Sequence, residues 1–265
     1  MIVIVLAAGL GSRLKLKTRS KFGFSIPFLL LNTETLGPEV PFSDEFLVEN
    51  VFRAFEDRAS VSYLFVLGYR FVENSPVLAF LAQKYGVRLH YVVNPWFAET
   101  NTAYSLHLAL ESLLANRYED DLLIINGDNY LSQAAWKKVR EKMEKGRSFL
   151  VVDRGRPLTE ESFKIKLDGD RILEMGKHLD PKESSGEFIG VSFLKEALVP
   201  QLAEAVKELV SKDRKEYYDR AFIPLSQKGH LDYLFLSEAE PWTEIDFPED
   251  LNRLAEILRR EHETA

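Results

Sequence analysis

Met1-Ile-Val-Ile-Val-Leu6-Ala-Ala-Gly9-Leu-Gly11-Ser-Arg13 opens the chain. Ile2 to Leu6 is an unbroken apolar, β-branched run, the pattern of a strand buried on both faces and so of a parallel sheet covered by helices. Directly after it come two glycines and an arginine. In open α/β sheets ligands bind beyond the carboxyl ends of the strands, where this loop falls. Gly9 and Gly11 let the backbone approach a ligand and aim N–H groups at phosphate oxygens. Arg13 adds a planar guanidinium suited to bidentate phosphate contact. Two commoner nucleotide loops are excluded. The dinucleotide fingerprint needs glycine at Leu14, and the Gly-Lys-Ser/Thr of a P-loop is absent.

Working outward, Ser62 to Leu67, Leu89 to Val93 and Leu122 to Ile125 read as further buried strands, with helical stretches between them. Ser75-Pro76 predicts a helix start and Gly86 its stop, while Ser132 opens a second helix that closes near Gly146. Alternating strands and helices imply right-handed crossovers and a parallel sheet. After about Ser148 the pattern changes. Short strands at Ser162–Leu167, Arg171–Glu174 and Phe188–Phe193 precede a helix around Glu196 to Val210, a strand at Leu231–Leu236 and a last helix from Pro248. With no repeat and no low-complexity linker, residues 1–265 read as one domain, with a nucleotide-binding half to about residue 147 and an acceptor-binding half from about 148.

The 265 residues are 46% hydrophobic and 28% charged, an ordinary globular balance. A net charge of −7 argues against a broad nucleic-acid face. The absence of cysteine excludes disulfides, thiolate metal sites and cysteine nucleophiles. The apolar N-terminal run has no basic leader and is too short to span a bilayer, so it reads as a strand without membrane insertion, and the chain as cytoplasmic.

Leu6-Ala-Ala-Gly-Leu-Gly-Ser-Arg13, with a lysine soon after, resembles the signature loop of the sugar-phosphate nucleotidyltransferases, also called nucleoside-diphosphate-sugar pyrophosphorylases. The resemblance implies a Rossmann-like, three-layer α/β fold with a mostly parallel sheet and a smaller mixed acceptor-side lobe. It also implies that Arg13 and a lysine hold the phosphates of a nucleoside triphosphate (NTP). Lys21 matches that lysine best, in an Arg-Ser-Lys-Phe-Gly-Phe context that departs from the family's Pro-Lys-Pro, and Lys15 and Lys17 are rivals. The stretch from Phe24 to Phe42 is longer and more apolar than is usual there, as a lid or homodimer surface would be.

Asn101-Thr-Ala-Tyr104-Ser105 resembles the Asn-x-x-Tyr-Ser segment of the cytidylyltransferase branch, although a helix N-cap alone would explain Asn101 and packing alone would explain Tyr104. On this resemblance Leu6, Ala8, Gly9, Gly11, Gly68, Asn101 and Ser105 contact the nucleotide. Ile124-Ile125-Asn126-Gly127-Asp128 sets a carboxylate directly after a buried strand, well placed for Mg²⁺ on a triphosphate. The family's metal-binding aspartate stands there. Trp242-Thr-Glu244-Ile-Asp246 resembles its second acidic region, with Asp246 as metal ligand and Glu244 as understudy, against the plainer reading of Asp246 as charge on a helix dipole.

For the acceptor, the resemblance points to Lys166, Lys177, Glu187 and Asp219. Lys164 and Lys166 share one strand face, which a solvated surface would equally explain. Lys177 follows a segment similar to inositol-phosphate cytidylyltransferases. Tyr217-Tyr218-Asp219 is similar to the Tyr-x-Asp of phosphocholine cytidylyltransferases. The expected reaction joins the NMP of an NTP, with CTP favoured, to a small phosphorylated alcohol, with release of pyrophosphate. Inositol 1-phosphate is preferred because Glu187 and the lysines pair hydroxyls. A quaternary ammonium would need an aromatic cage such as Trp96, Phe97, Tyr217 and Tyr218 could form. His107 reads as structural. A GT-A glycosyltransferase would carry Asp-x-Asp where Asp128-Asn129-Tyr130 stands. A non-catalytic, nucleotide-sensing relative would lose Arg13, Asp128 or Asp246.

Overall fold

The alternation inside the first strand divides the molecule into layers. In β1 (Ile2–Ala7), Val3, Val5 and Ala7 enter one hydrophobic cluster, and Ile2, Ile4 and Leu6 enter another on the opposite face. A strand with both faces buried must be flanked by strands and roofed on both sides. The computed structural model describes residues 1–11, 13–14, 26–37, 45–58 and 60–264. After β1 come the short antiparallel pair β2 (Leu30–Leu31) and β3 (Glu45–Phe46), then β4 (Ser62–Leu67), β5 (Arg88–Val93), β6 (Leu122–Asn126) and β7 (Asn129–Leu131). The second half supplies β8 (Phe149–Asp153), β9 (Lys164–Asp168), β10 (Arg171–Gly176), β11 (Gly186–Leu194), β12 (Asp232–Leu236) and β13 (Trp242–Glu244).

One nine-stranded sheet runs β10-β9-β11-β6-β1-β4-β5, with β8 between β11 and β12. β1 pairs in parallel with β4 and β6, and β4 with β5. β11 joins the second half to the first by running antiparallel to β6. The helices Phe71–Tyr85 and Gln133–Glu144 cover one face through Leu78, Leu81, Trp136 and Val139. The helices Thr102–Ala115 and Val199–Lys212 cover the other through Leu106, Leu110, Leu202 and Val206. Each such side chain contributes about 1.5–3 kcal/mol when removed from water. The expected three-layer, mostly parallel architecture is the one observed.

Three local readings differ from the structure. Leu89–Val93, expected as a buried strand, lies in β5 at the sheet edge, where no residue is buried. The helix expected at Ser75-Pro76 begins at Phe71, so Pro76 lies inside it. Its start is set by tertiary contacts: Tyr69 N–H donates to Ala8 O, and Arg70 turns the chain at φ 51°. Pro76 cannot donate to the Val72 carbonyl, and the Ser75 hydroxyl does so instead at 3.2 Å. β8 was absent from the expected strands although it is wholly buried. Gly86 ends its helix as expected, in a left-handed conformation at φ 62°. Ser132 caps its helix through Ala135 N–H.

Candidate active site

At the carboxyl ends of β1 and β6 lies a cleft of about 450 Å³. One side of it is the glycine loop. The loop is pinned from behind, because Gly127 N–H donates to Leu6 O and Tyr69 N–H to Ala8 O. Gly11 takes φ 52°, a backbone conformation that a side chain would strain, and a Cβ on Gly9 would project into open space. Across the cleft, Gly190 at φ 72° leaves room for Asn126, whose amide nitrogen would lie 2.3 Å from an added Cβ.

The far C-terminal acids reach Asp128 through a two-stranded ribbon. β13 pairs antiparallel with β7, Glu244 opposite Asn129, and Ile245 N–H donates to Asp128 O at 3.0 Å. Glu244 and Asp246 are thereby set on the cleft wall with Asp128. Asp246 is not the cap of the last helix. Asp250 accepts from the N–H groups of Asp246 and Phe247, leaving the Asp246 carboxylate for Arg13 at 2.7 Å. The Arg13 guanidinium also lies 5.4 Å from the centre of the Phe247 ring.

The Oδ1 atom of Asp128 is enclosed and has no hydrogen-bond partner among the described residues. Burial, and then the neighbouring Asp246, push this carboxyl up to about 6. An enclosed carboxylate oxygen without a donor, beside a second carboxylate, is short of positive charge. Mg²⁺ fits that demand, since it binds through one or two carboxylates and completes its octahedron with phosphate oxygens and water. Among the described residues no three or more His, Cys, Asp or Glu side chains are grouped to hold a metal by themselves. The donor set therefore suits an ion that arrives with phosphates.

Of the residues singled out in the sequence, Leu6, Gly9, Gly11, Arg13, Asn101, Asp128, Lys177, Glu187, Asp219, Glu244 and Asp246 line this one cleft. Four others are placed differently. Ala8 and Gly68 pack against each other behind the loop. The Ser105 hydroxyl is buried and accepts from Asn94, which also donates to Thr100. Lys166 is off the cleft wall, paired with Glu183 at 2.8 Å. Lys164, its strand neighbour, is fully buried with its ammonium on three carbonyls. Lys15, Lys17 and Lys21 lie outside the described residues, as does part of the Phe24–Phe42 stretch. Asn101 caps its helix through Thr102 N–H, as the plainer reading expects, and also lines the cleft. Of the suggested aromatic cage, Phe97, Tyr217 and Tyr218 reach the cleft and Trp96 does not. Sequence reasoning missed Glu161 and Phe163, which sit in a loop without a recognisable motif.

Six carboxyl groups (Asp128, Glu161, Glu187, Asp219, Glu244 and Asp246) face two cations, Arg13 and Lys177, among the described lining residues. Burial pushes Asp219 up to about 7. Glu244 is open to the cleft, yet the surrounding protein and then Asp128 push it up to about 8. Between roughly pH 4, where such groups titrate in an unfolded chain, and these raised values, the folded state holds protons that the unfolded state has released. Stability conferred by that difference is full below about pH 4 and falls as pH rises from there through the raised values, so Asp219 and Glu244 are still losing it between pH 6 and 8. Metal-free protein should therefore melt at a lower temperature at pH 8 than at pH 6, and Mg²⁺ with CTP should narrow the gap. A melting temperature equal or higher at pH 8 in EDTA would contradict this electrostatic account.

The chain is 30% identical over 271 residues to the choline-phosphate cytidylyltransferase of Streptococcus pneumoniae (strain ATCC BAA-255 / R6), covering 99% of this chain and 100% of that protein. The chain belongs to the sugar-phosphate nucleotidyltransferase family. Within this family its fold is similar to the solved CTP:phosphocholine cytidylyltransferase from Streptococcus pneumoniae (TM-score 0.68, 24% identity, 97% of this chain and 99% of that one). It is also similar to the inositol-1-phosphate CTP transferase from T. maritima (TM-score 0.66, 22% identity, 99% and 96%). Residues 43–157 match a family model described as "Domain of unknown function (DUF6564)". No helix among the described residues is long and apolar enough to cross a membrane.

Proposed function

We propose that this nucleotidyltransferase transfers CMP from CTP to the phosphate of a small phosphate ester with a cationic head group, with phosphocholine as the representative acceptor, and releases pyrophosphate. The observation that carries the acceptor reading is the composition of the cleft away from the glycine loop. Phe163, Tyr217, Tyr218 and Phe188 line it together with the carboxyls of Asp219 and Glu187. Aromatic faces and carboxylates attract a quaternary ammonium, and a surplus of acids disfavours a purely anionic acceptor. This moves the preference from inositol 1-phosphate, favoured by sequence, to a cationic head group. The relative at 30% identity supports the same choice, and supports CTP.

Joining two phosphates requires an anion to attack an anionic phosphorus, so the protein's task is positioning and charge neutralisation. An acceptor phosphate oxygen forms the new bond to the α-phosphorus. The bond from that phosphorus to the bridging oxygen breaks, and pyrophosphate leaves with the electron pair. The attacking oxygen is already ionised near neutral pH, so no general base is needed. Arg13 balances charge on the departing pyrophosphate, and Lys177 orients the incoming phosphate. Asp128 and Asp246 would hold Mg²⁺, which when bound neutralises charge on the triphosphate. Asp219 and the aromatic rings receive the cationic end, and a bound ammonium draws the Asp219 proton off.

A pyrophosphate-release assay with Mg²⁺ tests this by crossing CTP, UTP, GTP, ATP and dTTP with phosphocholine, inositol 1-phosphate and glucose 1-phosphate. CTP with phosphocholine is the expected pair. Faster turnover with inositol 1-phosphate would overturn the acceptor assignment, and no release with any pair would overturn nucleotidyl transfer to these acceptors.

A further inference from the structure

The loop between β8 and β9 carries an acid that the mechanism leaves unused. Glu161 lies 3.1 Å from the ammonium of Lys177 and 4.0 Å from the guanidinium of Arg13. Those two groups are the cations lining the cleft among the described residues. One carboxylate thus touches both side chains to which the mechanism gives phosphates, one from the glycine loop and one from the acceptor side. The two links are unequal. Arg13 is held more closely by Asp246, at 2.7 Å, so Lys177 is the principal partner of Glu161.

The backbone around Glu161 is tied to a buried group while its side chain faces water. Lys164 buries its ammonium beneath the loop and donates to the carbonyls of Thr159, Glu160 and Ser162 at 2.9, 3.0 and 3.1 Å. A buried ammonium on three carbonyls is costly to leave unpaired, so it ties the chain on either side of Glu161. The Glu161 side chain itself is 68% exposed. Water can solvate its carboxylate once it leaves the cations. No such release is open to Asp128, whose carboxylate oxygen is enclosed.

We propose that Glu161 is a built-in stand-in for substrate phosphate: it holds Lys177, and more weakly Arg13, in their phosphate-receiving positions while the cleft is empty, and gives way as phosphates arrive. The proposal rests on the assignment of Arg13 and Lys177 to phosphates. Glu161 then competes with both substrates and sets their KM rather than the rate of the chemical step. Exposed ion pairs of this kind are weak, so the competition amounts to a factor of about five at most.

Calorimetric titration with inorganic pyrophosphate, at low ionic strength, tests this without requiring turnover. Glu161→Gln is expected to bind pyrophosphate about three- to fivefold more tightly than the unsubstituted protein. Glu160→Gln, which removes the same charge one residue away, should leave the affinity unchanged, and Glu161→Asp should restore the original affinity. Unchanged or weaker binding in Glu161→Gln, or an equal gain in Glu160→Gln, would overturn the proposal. Where CTP and phosphocholine are turned over, Glu161→Gln should lower the phosphocholine KM by a similar factor with kcat within about twofold, and a raised KM would contradict it. An unsubstituted protein that binds pyrophosphate in this way but turns over no substrate pair would count against the proposed function and leave the Glu161 assignment standing.

Discussion

Asp128→Ala is expected to lower kcat for pyrophosphate release by roughly a thousandfold or more. Positioning a cation against a transferring phosphoryl group is worth several kcal/mol, and each 1.4 kcal/mol is a factor of ten. The residue sits where β6 ends, enclosed on one side, with the Asp246 carboxyl on the same cleft wall. Asp128→Asn should be almost as inactive, because it keeps the shape and removes the charge. The same substitution should raise the melting temperature of metal-free protein at pH 8. It removes a carboxyl that burial and Asp246 hold at about 6 and that must ionise in an unfavourable place. Lost activity together with gained stability separates a functional role from misfolding. Activity within tenfold of the original in Asp128→Ala would remove this residue from the mechanism.

Arg13→Ala should lower kcat/KM for CTP by about a hundred- to a thousandfold, the range seen when one preorganised donor to developing charge is removed. Arg13→Lys should recover little, since an ammonium lacks the planar fork that grips two phosphate oxygens. The structure adds a sign that distinguishes the two substitutions. Arg13 rests on the Asp246 carboxylate. Arg13→Ala frees that carboxylate, so the Mg²⁺ concentration for half-maximal activity should stay constant or fall, whereas in any residual activity of Asp128→Ala it should rise. A rise in Arg13→Ala, measured by Mg²⁺ titration at saturating CTP, would contradict the placement of Asp246 as a shared partner of guanidinium and metal.

The parts of this site that could be read in advance are those in which one strand end carries the chemistry. β1 and β6 are buried on both faces, so their apolar runs mark them, and Gly9, Gly11, Arg13 and Asp128 follow directly from the ends of those runs. Asp246 could be named from its surroundings in sequence, but the cause of its position could not. It depends on a three-residue ribbon, β7 with β13, whose partners are more than a hundred residues apart. The helix start at Phe71 was hidden for a similar reason, because a hydrogen bond from Tyr69 to the glycine loop outweighs the local signal of Ser75-Pro76. Lys164 and Lys166 alternate correctly along β9, yet one is buried beneath a loop and the other pairs with Glu183, and periodicity cannot distinguish these fates. Ser105 carries a family-like segment but spends its hydroxyl on Asn94. Glu161 has no local signature, since its partners come from two other loops, one beside β1 and one after β10.

The most direct test of the central claim follows the α-phosphorus itself. Phosphorus-31 NMR of the protein with Mg²⁺, CTP and phosphocholine should show the CTP resonances replaced by free pyrophosphate and a new mixed diphosphate joining CMP to phosphocholine, with no conversion in Asp128→Ala. Pyrophosphate appearing with free CMP and intact phosphocholine would mean that water is the acceptor and would contradict transfer. CTP resonances that stay unchanged, in protein shown to be folded, would contradict cytidylyl transfer to phosphocholine.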